Sequence, residues 1–276
     1  MPELPEVETI CRGLAPLLVG KQVEAWLVRR SDLRWPIPVE ALNRQASGQR
    51  IMALQRRGKY LLLVLQEGGV IFHLGMSGVL RWLHTPSPVG KHDHVDMMLS
   101  DGSCLRLQDP RRFGAILWWP VHPLSDHPLL AHLGVEPLSE GCNGQTLLAM
   151  AAGRRVSLRE FLMDSHRVVG IGNIYASEIC FHASLHPRQP VAGLDLSCWH
   201  RVEVGIRQVL LAAIQQGGTT LKDYRNQEGR PGYFQQQLQV YGRGGQPCYR
   251  CNALVEQFKQ GGRSGYFCPG CQTSAR

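Results

Sequence analysis

Four of the nine cysteines fall into two pairs with metal-ligand spacing: Cys248 and Cys251 in "CYRC" and, after sixteen intervening residues, Cys268 and Cys271 in "CPGC". Two CxxC knuckles at this separation can close four thiolates tetrahedrally on a single Zn2+. Four protein ligands leave no open coordination position, so the ion is expected to hold the fold and not to catalyse. Arg263 and Tyr266 lie between the knuckles, on an expected tight hairpin suited to presenting a cation to a phosphate. Cys11, Cys104, Cys142, Cys180 and Cys198 share no spacing and read as buried apolar residues. An odd total argues against a secreted disulfide framework and for a reducing compartment.

Other stretches carry weaker chemistry. "MPELPEVETI" gathers Glu3, Glu6 and Glu8 at the one end that bears a free amine. Pro5, Glu6 and Glu8 suit the first turn of a helix and its dipole, whereas Pro2 and Glu3 precede it. "KHDHVD" is expected to put His92, His94 and Asp96 on one strand face. "DPRRFG" sets two arginines beside Phe113 in an expected loop, a combination that can wedge into stacked bases. "VVGIGNIYASE" lacks the GxGxxG and Lys-Ser/Thr of nucleotide loops and reads as a Gly-Asn turn entering a helix, whose amides can bind a backbone phosphate. "GGTTLKDYRNQEGRPGYF", residues 217–234, is a polar loop long enough to act as a lid.

These groups need a scaffold. Val7, Ile10, Cys11, Leu14 and Leu17 recur at helical spacing and predict an amphipathic helix over 6–17. Between about 20 and 120 the pattern turns to short β runs, "KYLLLVL", "GVIFHL", "HVDMMLS", "SCLRLQ" and "GAILWW", with Asp101-Gly102 predicting a type I′ hairpin. That half reads as an antiparallel sandwich or barrel. A Pro- and His-rich stretch, 118–140, is the best linker. Beyond it Val202, Ile206, Val209, Leu210, Ala213 and Ile214 form an apolar helical stripe that stops at Gly217-Gly218, and the last forty residues look like a small independent unit. The 276 residues carry a formal net charge of +8, with Arg far outnumbering Lys, which favours an anionic partner bound through bidentate contacts. No apolar run approaches a membrane span and no signal peptide is evident, so the expected location is the cytoplasm.

Taken in order, "PELPEVET", "RRGKYLL", "HLGMSG", "HDHVD", "DPRRFG", "VVGIGNIYASE", "GGTTLKD", "GRPGYF", "QVYGR" and the CxxC pair resemble the formamidopyrimidine-DNA glycosylases over nearly the whole chain. The resemblance implies an α+β protein: a β-sandwich with an initial helix (2–135), a helix-two-turn-helix domain with a lesion-capping loop (136–236) and a β-hairpin zinc finger (237–276), with DNA in the groove between halves. It implies a monomeric bacterial-type base-excision repair enzyme acting on duplex DNA that contains oxidised bases or abasic sites. Carried residue by residue, it makes the amine of Pro2 the Schiff-base nucleophile once Met1 is removed and Glu3 the proton donor, with Lys59 and Arg263 as proton donors or phosphate contacts. His92, Asn173 and Lys222 would touch DNA, and Met76, Arg111 and Phe113 would fill the gap left by the flipped nucleotide.

One departure stands out. Where the family usually has a lysine before "LMD" that helps recognise oxidised purines, this chain has Arg159, and Ser165 replaces the usual amide after that motif. Arg keeps the charge but cannot exchange a proton as Lys can. Two other readings compete with an oxidised-purine glycosylase and abasic-site lyase: the sibling specificity for oxidised pyrimidines, and a non-catalytic zinc-ribbon protein that binds nucleic acid.

Overall fold

The computed structural model describes residues 1–218 and 238–273, which form two compact units. The first comprises Met1–Ala131 with Gly217 and Gly218. It opens with helix α1 (Leu4–Leu18) and continues through strands β1 (Val23–Val28), β2 (Ile51–Arg57), β3 (Tyr60–Leu65), β4 (Gly69–His73), β5 (Val79–Leu83), β6 (Asp93–Leu99), β7 (Cys104–Gln108) and β8 (Ala115–Trp119). They make two four-stranded antiparallel sheets, β1-β6-β7-β5 and β2-β3-β4-β8. One apolar core draws Leu14 and Leu18 from α1, Leu63 and Val70 from one sheet, and Val95 and Leu107 from the other. This is the expected sandwich, with the helix packed against it.

Details differ from the sequence pattern. Leu18, not Leu17, completes the buried stripe of α1, one turn beyond Leu14. β1, β2 and β5 did not stand out because much of each lies exposed or half-buried, so the period-2 signal is diluted. The Asp101-Gly102 turn is not type I′, since only Gly102 has positive φ (82°). Asp101 instead turns its carboxylate back on Ser103 N–H at 3.0 Å and pairs with Lys21 at 2.7 Å, which stabilises a longer loop. The Pro- and His-rich stretch holds short helical turns within 124–131, and the break between units falls after Ala131.

The second unit contains α2 (Gly144–Ala151), α3 (Leu158–Met163), α4 (Asn173–His182), α5 (Leu196–Gln215) and the hairpin β9 (Glu256–Gln260) with β10 (Arg263–Phe267). All six stripe residues predicted for α5 are buried. Gly205 lets α5 approach α4, because a Cβ there would sit 3.3 Å from the Ile179 carbonyl oxygen. The Cys-rich end is not independent of the helices: Phe181 of α4 shares a core with Val240, Cys248, Val255 and Cys268, and Gln272 donates to the Leu185 carbonyl at 2.9 Å. No helix among the described residues is long and apolar enough to cross a membrane.

Candidate functional site

Glu3 is the N-cap of α1, and the Glu6 carboxylate accepts its backbone N–H at 2.8 Å, the return half of a capping box. Pro2 and Glu3 are buried and Met1 is exposed. Glu6 is fully buried, so it does more than meet the helix dipole: it fixes the backbone of the residue beside Pro2. Gly218 lies against it, since a Cβ there would fall 2.8 Å from Glu6 Oε1. Along the same helix Glu8 pairs with Arg56 at 2.6 Å and the Cys11 thiol meets the Leu54 carbonyl at 3.4 Å. Helix and strand therefore run past each other in opposite directions, which carries Pro2 and Glu3 to the end of the sheet where β2 turns into β3.

That turn is Gly58-Lys59. Gly58 has φ 57° and Arg57 pairs with Tyr60, so the two-residue hairpin has a glycine where only glycine is comfortable and places Lys59, half-buried, at the tip. Across the sheet Tyr60 pairs with His73 and His73 with Ala115. His73 is buried and accepts the Gly75 N–H through Nδ1 at 3.1 Å. Burial, with the charges of Arg34 and Lys59, brings its pKa down to about 4, so the imidazole is neutral at pH 7.

The same end carries a ledge. Asp109, with no exposed surface, accepts Ser77 Oγ–H at 2.6 Å and Gly114 N–H at 2.7 Å, while Ser77 Oγ accepts Arg111 N–H at 3.1 Å. Gly75 (φ 61°) packs so tightly on the Phe113 carbonyl that a Cβ would overlap it. The turn bearing Met76 and the loop bearing Arg111 and Phe113 are thus bolted together. Met76 is 38% and Phe113 45% exposed, and the Arg111 guanidinium stands 5.1 Å from the Phe113 ring. Arg112 has φ 58°, a costly conformation for a side chain of its size and of the kind held at functional loops. The structure brings together the three residues named as gap-fillers.

In the second unit Gly170 (φ 89°) turns the chain into α4, and Asn173 is its first residue. The Asn173 amide accepts from Arg159 Nη2 through Oδ1 and donates to the Ser264 carbonyl at 2.9 Å through Nδ2. Arg159 is 1% exposed, so it is not presented to a base in solvent; it reaches Asn173 instead. Arg263 is exposed and follows Gly261-Gly262, whose φ angles of 56° and 73° make the type I′ turn of the β9–β10 hairpin. Glu178, also buried, receives the backbone N–H groups of Gln239, Val240 and Tyr241 at 2.8, 3.0 and 2.8 Å, and burial pushes its carboxyl up despite them. It ties α4 to the segment that leads into the knuckles.

The four cysteines converge, with ligand atoms all within 4.8 Å of one another, Cys248 Sγ 3.9 Å from Cys271 Sγ and Cys251 Sγ 3.4 Å from Cys268 Sγ. Tetrahedral zinc at about 2.3 Å from each sulfur sets the S···S edge near 3.8 Å, so this quartet can hold one such ion. Gly270 is required by the fold of the second knuckle, since a Cβ would stand 2.9 Å from Cys251 Sγ.

Of His92, His94 and Asp96, the two imidazoles stay neighbours, with ring centroids 6.4 Å apart, while Asp96 is taken up by arginines. The ladder shifts between Asp93 and Val95, a bulge that breaks simple alternation. His94 Nε2 meets the Asp109 carbonyl at 2.8 Å, Asp96 takes Arg106 and Arg29, and His92 is half-buried just before β6. Lys222 and the loop from 219 onward lie outside the described residues. Sequence reasoning missed Glu6 as an anchor, His73, Asp109 with Ser77, and Glu178. Only the Asp in "DPRRFG" offered a signal, as an acid beside a loop that needs its amides satisfied.

Comparison with known proteins bears on the whole chain. The family model for the formamidopyrimidine-DNA glycosylase N-terminal domain matches residues 1–116, and that for the formamidopyrimidine-DNA glycosylase H2TH domain matches residues 133–225. The formamidopyrimidine-DNA glycosylase of Pseudomonas aeruginosa (strain LESB58) is 49% identical over 272 residues, covering 99% of this chain and 100% of that one; its counterpart from Pseudomonas putida (strain GB-1) is 50% identical over the same shares. Among solved structures, the MutM (Fpg) protein from Thermus thermophilus superposes with a TM-score of 0.87 at 38% identity, covering 100% of both chains. Lactococcus lactis Fpg in complex with abasic-site DNA superposes at 0.90 with 30% identity, covering 99% of this chain and 100% of that one.

Proposed function

The chain belongs to the formamidopyrimidine-DNA glycosylase family, and from that premise we propose that Pro2, freed of Met1, attacks the lesion nucleotide with Glu3 beside it as acid and base. It is a DNA glycosylase and abasic-site lyase of base excision repair. The observation that supports the residue assignment is the common end of the sandwich: the Pro2-Glu3 start of α1, the Gly58-Lys59 turn, and the exposed ledge of Met76, Arg111 and Phe113.

The chemistry follows from those groups. A base inside a duplex is out of reach, so the nucleotide is flipped, and Met76, Phe113 and Arg111 occupy the emptied stack. The neutral secondary amine of Pro2 forms a bond to the sugar C1′ as the bond to the base breaks, and the base leaves with a proton from an acid such as Glu3. Ring opening gives an iminium, an electron sink that acidifies the C2′ proton. Loss of that proton expels the 3′ phosphate and a second elimination expels the 5′ phosphate, so the strand is cut on both sides without water attacking phosphorus. Only the unprotonated amine attacks, and an α-amino group with a pKa of about 7.7–8 is largely protonated at neutral pH. Glu6 contributes by fixing the Glu3 backbone, hence the direction of the nitrogen beside it.

Lys59, Asn173 and Arg263, with Lys222, contact DNA phosphates. The Cys248, Cys251, Cys268 and Cys271 quartet holds one structural zinc, which supports the hairpin that presents Arg263. The preferred bases are oxidised purines such as 8-oxoguanine and formamidopyrimidines, and the site of action is the bacterial cytoplasm, on the chromosome. Incubating the purified protein with lesion-containing duplex and borohydride is expected to trap a covalent adduct that disappears when the N-terminus is blocked. An undiminished adduct on the blocked protein would remove Pro2 as the nucleophile. Cleavage of 8-oxoguanine against thymine glycol duplexes decides between the purine and pyrimidine branches.

A further inference from the structure

Arg159 is one of the largest side chains with almost no exposed surface, and among the described residues it forms no ion pair. A buried cation without a carboxylate is costly and needs a reason. The nearest acid on its own helix, Glu160, is turned to Ser157, whose Oγ–H it accepts at 2.7 Å. Arg159 Nε has no hydrogen-bond partner among the described residues, and its guanidinium lies 5.7 Å from the Phe258 ring. The acceptor that meets its charge-bearing end is Asn173 Oδ1.

The two ends of an Asn amide have nearly the same shape and opposite chemistry. Arg159 is a pure donor and selects the oxygen; the Ser264 carbonyl is a pure acceptor and selects the nitrogen, at 2.9 Å, while the second N–H makes only a long 3.5 Å contact with Tyr241 Oη that a phosphate oxygen would replace. The amide therefore cannot turn over. We propose that Arg159 is a positioning residue: it locks Asn173 in the one orientation that offers N–H, not C=O, to a DNA phosphate, and that phosphate supplies the counter-charge Arg159 lacks among the described residues. This rests on the reading of Asn173 as a phosphate contact. It moves Arg159 from base recognition, where the family lysine had suggested it, to strand binding.

The test is equilibrium binding of the full chain to a duplex carrying a tetrahydrofuran abasic analogue, followed by fluorescence anisotropy. N173A is expected to weaken binding about tenfold, as loss of a hydrogen bond to a charged group does. R159M is expected to weaken it to a similar degree, and R159M/N173A to bind within about twofold of N173A, because effects that run through one residue do not add. R159K, which retains a donor, restores binding to within about threefold of wild type, a rescue that lost packing alone would not give. N173D pairs with Arg159 yet turns an oxygen toward the phosphate, so it binds more weakly than N173A. Wild-type binding by N173A would overturn the phosphate reading itself. Weak binding by N173A together with wild-type binding by R159M, or losses that multiply in the double variant, would overturn the positioning role. If R159M does not fold, N173D binding as tightly as N173A overturns it instead.

Discussion

Asp109 is the residue on which the gap-filling ledge depends, and its replacement by Asn separates the ledge from the chemistry. The Asp109 carboxylate is fully buried and accepts Ser77 Oγ–H at 2.6 Å and Gly114 N–H at 2.7 Å. An Asn of the same shape offers one carbonyl oxygen, so one of those donors then faces an amide N–H. Loss of one charge-assisted bond costs about 1.5–3 kcal/mol and a stranded buried donor about 1–3, for a total of roughly 2.5–6 kcal/mol. At about 2–4 °C per kcal/mol for a unit of this size, the melting temperature should fall by about 5–25 °C. The Met76 turn and the Arg111–Phe113 loop lose their common bolt, while Pro2, Glu3 and Glu6 keep their contacts. Below the melting temperature, single-turnover excision from an 8-oxoguanine duplex should slow by about tenfold to a hundredfold, the scale of a flipped base whose stack goes unfilled. Borohydride trapping on a single-stranded abasic oligonucleotide, which has no stack to fill, should stay within about twofold. Equal losses on both substrates would refute the ledge argument, as would a destabilised D109N with normal duplex excision.

The acid side of the stability profile should carry a His73 component. The folded pKa lies at about 4 against about 6.5 unfolded, so both states are neutral above 6.5, and between 6.5 and 4 only the unfolded chain takes the proton. Stability therefore falls as pH drops through that window, and chemical denaturation at pH 7 and pH 5 should show wild type losing about 2 kcal/mol more than H73Q; equal losses would count against it. Gly270→Ala sets a Cβ 2.9 Å from Cys251 Sγ, and it should weaken zinc retention against a chelator by about tenfold or more although every ligand remains, read as metal content after dialysis.

Much of this architecture was legible because it rests on periodicity and spacing. The α5 stripe and the CxxC pair are local patterns, and each folds as read. The ledge was legible only in part. Phe113 and Met76 advertise themselves as apolar residues in polar turns, but what binds their loops together is Ser77 on Asp109, 32 residues apart, and no local pattern encodes that pairing. The same holds for Glu178 with the amides of 239–241 and for Arg159 with Asn173: a charged residue reads as surface until its distant partner is known. Glu6 shows the limit most clearly. Helix-start statistics account for its presence equally well whether it faces water or, as here, is buried against Glu3 and Gly218.

The arginine count invites a similar misreading, because formal charge is not the charge DNA meets. Arg106 lies buried against Asp96 at 2.8 Å and Asp93 at 3.3 Å, and Arg56 is paired with Glu8. Arg243 is buried with its guanidinium on the Pro247 carbonyl at 2.7 Å. These arginines build the fold. The cations proposed above to meet phosphates are Lys59 and Arg263, each on a turn of a hairpin, and Lys222, which the family resemblance alone supplies. Three such contacts give a slope of log affinity against log salt near −2.7, at about 0.9 per phosphate neutralised. Removing Lys59 or Arg263 should make it shallower by about one, while truncating Arg243 should leave it unchanged in any variant that still folds. A wild-type slope of about −6 or steeper would mean that arginines assigned here to the scaffold, or others on the surface, also neutralise phosphates, and the division between structural and DNA-facing charge would have to be redrawn.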